Sequence, residues 1–346
     1  MPLRWHPTWE TNLCDRLIAS PGPGRGGVQE IARRLVSTAR EFSPQKRATL
    51  ASGARELIGA RTMQAEVRHA LTWKTALLLN APKGADDLIV WAHGADLDRD
   101  HYPWSMLRHR MLTSAKGLAC STPYAKDLLD RWDVPSAMIG PPVNFPPLGE
   151  LPCGRPTNWD AVRLLSLGRF DPRKGHDTAI LVAVLLREQG LEVELDVIGQ
   201  GPDLARLKTM AQDLPFVKVH NDVSNEERDQ FFSAADLLLF LPRTEGGERE
   251  GLGMVTLEAA AYGVPAVVGE CGGSVFGLLD GETGLLCPAA VSSSDIAAQV
   301  TAALERRATL SSGARSFAEQ FSISSWWTRV TGLESGCIVP WQWPTR

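Results

Sequence analysis

A chain of 346 residues with 44% hydrophobic content is long enough for two domains, each able to bury its own core. With 36 Lys and Arg against 40 Asp and Glu the formal net charge is −4, which excludes a general nucleic-acid binder, whose phosphate contacts need an excess of cations. No stretch reaches the roughly 18 to 20 apolar residues of a spanning helix, and the opening MPLRWHPTWETNLCDR lacks a signal peptide's apolar core, so the cytoplasm is the expected compartment. In chain order, DRLIASP reads as a first strand and GGVQEIARRLVSTAREF as an amphipathic helix. The segment from Ser43 to Ala85 carries mostly helical signal and no clear second strand. DDLIVWAHG reads as a strand ending in a His-Gly turn, KGLACST and PYAKDLLDRW as strand and helix, and SAMIGPP as a closing strand.

The run PPVNFPPLGELPCGRP, rich in Pro and Gly, predicts a linker near residue 150. Beyond it the alternation is regular. VRLLSLG, LEVELDVIG, FVKVHN, LLLFLP and PAVVGE read as strands. Between and after them GHDTAILVAVLLREQG, GPDLARLKTMAQDL, NEERDQFFSAAD, GMVTLEAAAYG and SSDIAAQVTAALERRA read as helices, with caps expected at Asn225 and near Ser293 or Ser294. SISSWWTRV is helical in character and precedes a tail holding Trp341 and Trp343. Strands alternating with helices over this length predict an α/β fold with parallel sheets covered on both faces. Cys14, Cys120, Cys153, Cys271, Cys287 and Cys337 form no C-x-x-C pair and read as reduced, mostly buried thiols.

The stretch EREGLGMVTLEAAAYG places Glu250 before a glycine pair and Glu258 inside the helix that follows. A helix starting between Gly251 and Met254 has unpartnered N–H groups and the positive end of its dipole at the start, and Gly251 and Gly253 let a ligand approach the backbone. Acids on either side of such an anion site fit a ligand with a phosphate flanked by hydroxyls, as in a sugar nucleotide; taken alone, both also fit solvated helix-surface charges. GRFDPRKG puts Arg169 and Lys174 on a loop at the carboxyl edge of the sheet, where two cations offset a diphosphate.

GRFDPRKG, VIGQGP, AADLLLFLPRTEGGEREGLGMVTLEAAAYGVPAVVGECGG and GETGLLCP, in that order, resemble the retaining GT-B glycosyltransferases of the GT4 type, and the E-x7-E pattern of Glu250 and Glu258 is the most specific part. The resemblance covers most of residues 162 to 320. It implies two Rossmann-like domains facing across a deep cleft: an acceptor-side domain over 1–150, a donor domain over 151–321, and a crossing helix and tail over 322–346. Arg169 and Lys174 would hold the diphosphate of a UDP- or GDP-type donor, with Gly251, Leu252, Gly253, Met254 and Val255 at the helix start. Glu258 would bind the ribose, Glu250 the transferred sugar, and Asp222 and Val223 would lie beside the base. GGVQEIARRL resembles the family's glycine-rich loop, placing Gly26 and Gly27 at the donor, and WAHG puts His93 where relatives carry a histidine that touches the donor sugar. A strand-end histidine bonded to a backbone carbonyl is the plainer account of His93. Trp326 and Trp327 read as packing residues. Asn144 stands where many relatives have Asp.

The expected reaction is retaining transfer from a nucleotide diphosphate sugar to an acceptor hydroxyl, without cofactor or metal, since no Asp-x-Asp cluster accompanies the diphosphate residues. Asp96, Asp98 and Asp100, with Glu245 and Glu248, suggest an acid-lined pocket for a polar, amino-substituted acceptor of specialised metabolism. Against this, the cations from Arg33 to Lys74 outnumber the acids around them and offer a surface for anionic lipid, hence a lipid-linked acceptor; a solvated helix face is the plainer account. Two rivals stay open. GPGRGG, Gly22 to Gly27, matches a nicotinamide-binding fingerprint but lacks the acidic residue about 20 positions on, and a non-catalytic sugar-nucleotide-binding module would keep the same fold.

Overall fold

The computed structural model describes residues 14–20, 27–44, 46–52, 65–79, 85–93, 97, 104–146, 161–337 and 341–344. The chain divides into two compact units, one formed by Met1–Ser121, Leu129–Ala137 and Val330–Val339, the other by Thr122–Leu128, Met138–Arg329 and Pro340–Arg346.

Through the first part run β1 (Cys14–Ser20), α1 (Gly27–Phe42), β2 (Ala48–Ser52), β3 (Ala65–Ala70), α2 (Trp73–Leu78), β4 (Ala85–Ala92), α3 (Trp104–Thr113), β5 (Ala115–Cys120), α4 (Pro123–Arg131) and β6 (Ala137–Met138). The six strands form one sheet in the order β2-β1-β3-β4-β5-β6. Among its described residues, the segment from Ser43 to Ala85, read as mostly helical with no clear second strand, thus holds β2 and β3 as well as the short α2. ATLAS and AEVRHA have little apolar run of their own and become strands by pairing in parallel on either side of β1, with Arg16 opposite Ala48 and Ile18 opposite His69. Helix α2 starts where Thr72 and Thr75 exchange side-chain and backbone hydrogen bonds in a capping box.

The second part runs β7 (Val162–Leu167), α5 (His176–Glu188), β8 (Val193–Ile198), α6 (Leu204–Ala211), β9 (Val217–His220), α7 (Asn225–Ala234), β10 (Leu237–Phe240), α8 (Met254–Ala261), β11 (Ala266–Gly269), β12 (Gly284–Cys287), α9 (Ser293–Glu305), α10 (Arg307–Glu319) and α11 (Ile323–Ser335). Its sheet has the order β12-β11-β10-β7-β8-β9, with every pair parallel. All four residues of β10 are buried, as a strand covered on both faces requires. Helices α5 and α9 close one core with β7 and β8, and α7 and α8 close another with β10 and β11.

Two caps sit one or two residues before their expected places. Ser224 caps α7 with Glu227, and Ser292 caps α9 with Asp295, because the capping oxygen must stand three residues before the amide it accepts from. Sequence reading passes over β12 and α10. Gly284 runs so close to β11 that a Cβ would lie 2.2 Å from the Ala266 carbonyl, and α10 is held by buried Leu310, Ala314 and Phe317 despite its Ser-Ser-Gly.

Helix α11 begins in the second unit and ends in the first. At its start Trp326 Nε1 donates to the Gly140 carbonyl and Arg329 Nε to the Ile139 carbonyl at 2.7 Å. In its last turn Glu334 accepts from Arg16 Nε and Nη2 at 2.8 and 2.6 Å and lies 2.9 Å from His69 Nε2. The Trp91 indole can only donate, and it meets His69 Nδ1 at 3.2 Å, so the His69 proton sits on Nε2 and faces Glu334. Trp326 and Trp327 are buried, as expected of packing residues. Cys120, Cys271 and Cys287 are buried free thiols and Cys337 is an exposed one.

Candidate active site

In the second sheet the chain adds β8 and β9 on one side of β7, then returns to place β10 on the other. The carboxyl ends of β7 and β10 therefore flank the point where strand order reverses, which is where open parallel sheets leave a crevice for a ligand. Arg169 and Lys174 follow β7; Glu250 and Gly253 follow β10. Their loops meet, and Lys174 Nζ donates to Glu250 Oε2 at 2.5 Å with both side chains largely buried. The ammonium also lies 5.4 Å from the centre of the Phe240 ring.

The loop after β7 is built by its own sequence. Asp171 accepts from the Arg173 amide and caps a 3-10 turn, Pro172–Lys174, which ends at Gly175 with φ 70°. A Cβ at Gly175 would fall 1.8 Å from the Leu241 carbonyl, so only glycine lets the β7 and β10 loops touch. Buried His176 then ties the loop to its strand, with Nδ1 at 2.9 Å from Ser166 Oγ and Nε2 at 3.2 Å from the Arg169 carbonyl. Burial, aided by the Lys174 charge, pushes His176 down to about 4 against the opposing Arg169 bond, so the ring is neutral at pH 7 and donates through Nε2. Sequence reading had overlooked His176, although it directly follows the RKG run. The Arg169 guanidinium is exposed and has no ion-pair partner among the described residues.

Burial alone would raise the Glu250 carboxyl, but the charge and hydrogen bond of Lys174, then the Arg173 charge and the Gly251 amide, outweigh it and hold Glu250 below its ordinary value. Behind it, the Gly273 amide donates to the Glu250 carbonyl at 2.7 Å. Helix α8 opens at Gly253, φ 72°, with no side-chain cap, so the helix start faces the crevice with its dipole uncovered. Leu252 and Val255 are buried in the cores, which leaves their main chain for any ligand. Glu258, 13% exposed, stands 3.7 Å from Arg228 Nη1 on α7, and Arg228 Nε is buried without a hydrogen-bond partner among the described residues. After β9, Asp222 adopts φ 58° and accepts from the side-chain amides of Gln200 and Asn221, while Val223 is partly buried.

In the first unit His93 follows β4, and its Nδ1 lies 3.0 Å from Ser121 Oγ after β5. Gly27 opens α1. Gly26, Asp96, Asp98 and Asp100 lie outside the described residues. The acids of EGGERE are partnered by cations: Glu245 lies 3.7 Å from Arg243 Nε and Glu248 3.5 Å from Arg173 Nε. The basic run is likewise part-neutralised, Glu30 pairing with Arg33 and Arg34, Asp87 with Arg68, and Glu66 with Lys46. A second pairing unread in the sequence joins the first turns of α5 and α6 to the loop after β10. Asp177 accepts two hydrogen bonds from Arg243, at 2.7 and 3.0 Å, and one from Arg206 at 3.1 Å. Among the described residues no group of three or more His, Cys, Asp or Glu is placed to hold a metal ion, and no helix is long and apolar enough to cross a membrane.

The family model described as Glycosyl transferases group 1 matches residues 156–319. Over 144 residues the chain is 38% identical to a GDP-mannose-dependent alpha-(1-6)-phosphatidylinositol monomannoside mannosyltransferase of Mycolicibacterium smegmatis, a match covering 40% of this chain and 37% of that protein. It is 32% identical over 186 residues to a D-inositol 3-phosphate glycosyltransferase of Saccharomonospora viridis, covering 50% and 41%. The chain thus spans well under half the length of these relatives. The fold is similar to the crystal structure of Anabaena HepE in complex with UDP and glucose, with a TM-score of 0.72 at 16% identity over 93% of this chain and 99% of that one. Residues 156–319 thus resemble the glycosyl transferases group 1 family, and the chain has a GT-B fold.

Proposed function

We propose that the protein transfers a sugar, with retention, from a nucleotide diphosphate sugar to a hydroxyl of a polar acceptor. The observation that carries this reading is the contact of Lys174 with Glu250 at the strand-order reversal, inside the segment that the family model matches. Arg169, Lys174 and the start of α8, from Gly251 to Val255, take the donor diphosphate. Glu258 takes the ribose, and Asp222 and Val223 border the base. By the same resemblance Gly26, Gly27 and His93 are assigned to the donor, residues 1–150 to the acceptor-side domain, 151–321 to the donor domain and 322–346 to the last helix and tail.

Donor binding then trades one partner of Lys174 for another. The diphosphate takes the ammonium, and Glu250 turns to the sugar, where its charge stabilises the positive character that develops on the ring. The bond from the anomeric carbon to the diphosphate oxygen breaks as the acceptor oxygen bonds on the same face, and the acceptor proton passes to the leaving phosphate. Protein cations carry the leaving charge, so a chelator leaves activity unchanged.

The two acids separate in kinetics. Glu258→Gln raises the donor KM with little change in kcat, because ribose contacts are alike in ground and transition states, whereas Glu250→Gln lowers kcat. Steady-state rates over a donor series check this, and equal effects on both parameters at both positions remove the division of roles.

Pairing of Glu245 and Glu248 with arginines removes, at these two residues, the charge argument for an amino-substituted acceptor over a neutral polyol. A lipid-linked acceptor is the second reading, favoured by the phosphatidylinositol-directed relative and by the exposed apolar side chains of Phe42 and Leu50. A mass-spectrometric screen of UDP- and GDP-sugars against soluble and lipid acceptors, with sedimentation on anionic liposomes, decides. Transfer to soluble polyols is the expected result. Tight liposome association with transfer to lipid alone reverses the acceptor assignment, and nucleotide binding without turnover reduces the protein to a binding module.

A further inference from the structure

The segment 341–344, after α11, carries Trp341 and Trp343. We propose that Trp343 is a positioning residue for Glu250, bracing from behind the loop that carries this carboxylate; the proposal rests on the role given to Glu250 above. Trp343 is 7% exposed, and its indole Nε1 donates to the Phe276 carbonyl at 3.2 Å. Its ring centre lies 4.8 Å from that of Phe321 and 6.4 Å from that of Phe276, in the cluster that also holds Leu252 and Leu257.

Phe276 belongs to the 3-10 turn Gly272–Gly277, which presses on the site loop through main chain at one end and on the first turn of α8 through the Thr256 side chain at the other. At one end the Gly273 amide bonds the Glu250 carbonyl, and a Cβ at Gly273 would stand 1.9 Å from the Gly251 carbonyl. At the other, a Cβ at Gly277 would stand 2.1 Å from Thr256 Oγ1, and that hydroxyl donates to the Gly253 carbonyl at 2.8 Å. At Gly273 main chain meets main chain, which leaves no side chain to absorb a shift, and at Gly277 the facing hydroxyl is itself bonded to the Gly253 carbonyl, so turn and loop move together. Trp343 holds the turn by one directional bond and packs in the same cluster as Leu252 of the loop.

A second aromatic keeps the segment in place. Trp341 stacks on the guanidinium of buried Arg329 at 4.2 Å, and a Cβ at Gly140 would lie 3.0 Å from its ring. Two anchored indoles within three residues offset the entropy of ordering an otherwise irregular segment.

The test compares the parent with Trp343→Ala and with Trp343→Phe, which keeps a ring but loses the donor to Phe276. Sugar-nucleotide turnover is measured beside hydrogen exchange of peptides covering 248–258, 270–279 and 162–220. In Trp343→Ala kcat falls about 10- to 100-fold, the scale of a small misplacement of a reacting group, with the donor KM changed far less. Exchange quickens in 248–258 and 270–279 but not in 162–220, and Trp343→Phe falls between the two. Unchanged kcat and exchange in Trp343→Ala overturn the proposal alone, as does exchange that quickens evenly across all three regions, which assigns Trp343 to general packing. A parent that turns over no sugar nucleotide overturns the donor-site reading and the proposal with it.

Discussion

Lys174→Ala is expected to lower kcat/KM for sugar transfer by about 100-fold or more, the scale of losing one preorganised electrostatic group aimed at a developing charge. Two effects add in this variant. The leaving diphosphate loses a cation held in place by the Asp171-capped turn and by Gly175. Glu250 loses the charge that outweighs its own burial, so its carboxyl rises from a value now below the ordinary one. The residual activity of Lys174→Ala therefore acquires an acidic limb at higher pH than in the parent, where Glu250 stays ionised throughout the neutral range. Arg169→Ala loses a comparable factor without moving that limb, because Arg169 does not touch Glu250. Initial rates between pH 5 and 9 with saturating acceptor separate the three proteins. Full activity in both variants, or loss of parental activity on adding a chelator, defeats the donor-site assignment.

Glu334→Gln is expected to destabilise the protein by about 3–5 kcal/mol, the usual cost of removing one partner of a buried ion pair. The charge removed is central to the last turn of α11. Burial would raise Glu334, but the hydrogen bonds from Arg16 and His69 hold it down to about 2 against an ordinary value of 4.5. Its two oxygens take the Arg16 fork, and Lys116 Nζ donates to its backbone carbonyl at 2.8 Å. With the charge gone, Arg16 is left a buried cation without its counter-ion.

The pH dependence follows from the direction of the shift. A carboxyl depressed in the folded state contributes all of its stabilisation above its unfolded value and loses it as pH falls toward the folded one. The parent and Glu334→Gln therefore differ most above pH 5 and converge between about pH 4.5 and 2. Urea unfolding at a series of pH values measures this, and a difference that stays constant with pH counts against the ion pair as its source.

Much of the second sheet and its loops was legible because the signals there are short in range. LLLF, AVVG and VRLLSL are apolar runs bounded by Pro, Gly or Asp, and each became a strand buried between helices. Glu250 and Glu258 lie on one loop and helix, so their spacing and the glycines between them could be read directly, as could Arg169 and Lys174. Where local signals were weak the reading failed. ATLAS and AEVRHA are strands because β1 offers hydrogen-bonding edges on both sides, and nothing within either segment announces that.

The sequence by itself determined which stretches form the second parallel sheet, where its glycine-lined loops fall, and which charged residues those loops carry. Such properties follow from periodicity, capping and φ freedom, which act over a few residues. Only the tertiary structure decided which of these charges meet. Lys174 and Glu250 are 76 residues apart, and they form a pair because β10 returns to the side of β7 that β8 left open. Arg16 and Glu334 are 318 apart, and Trp343 stands 67 residues beyond the carbonyl it braces. Partners at such separations are chosen by strand order and by the path of the last helix, and these minimise the free energy of the folded chain as a whole without leaving a mark on the residues beside them.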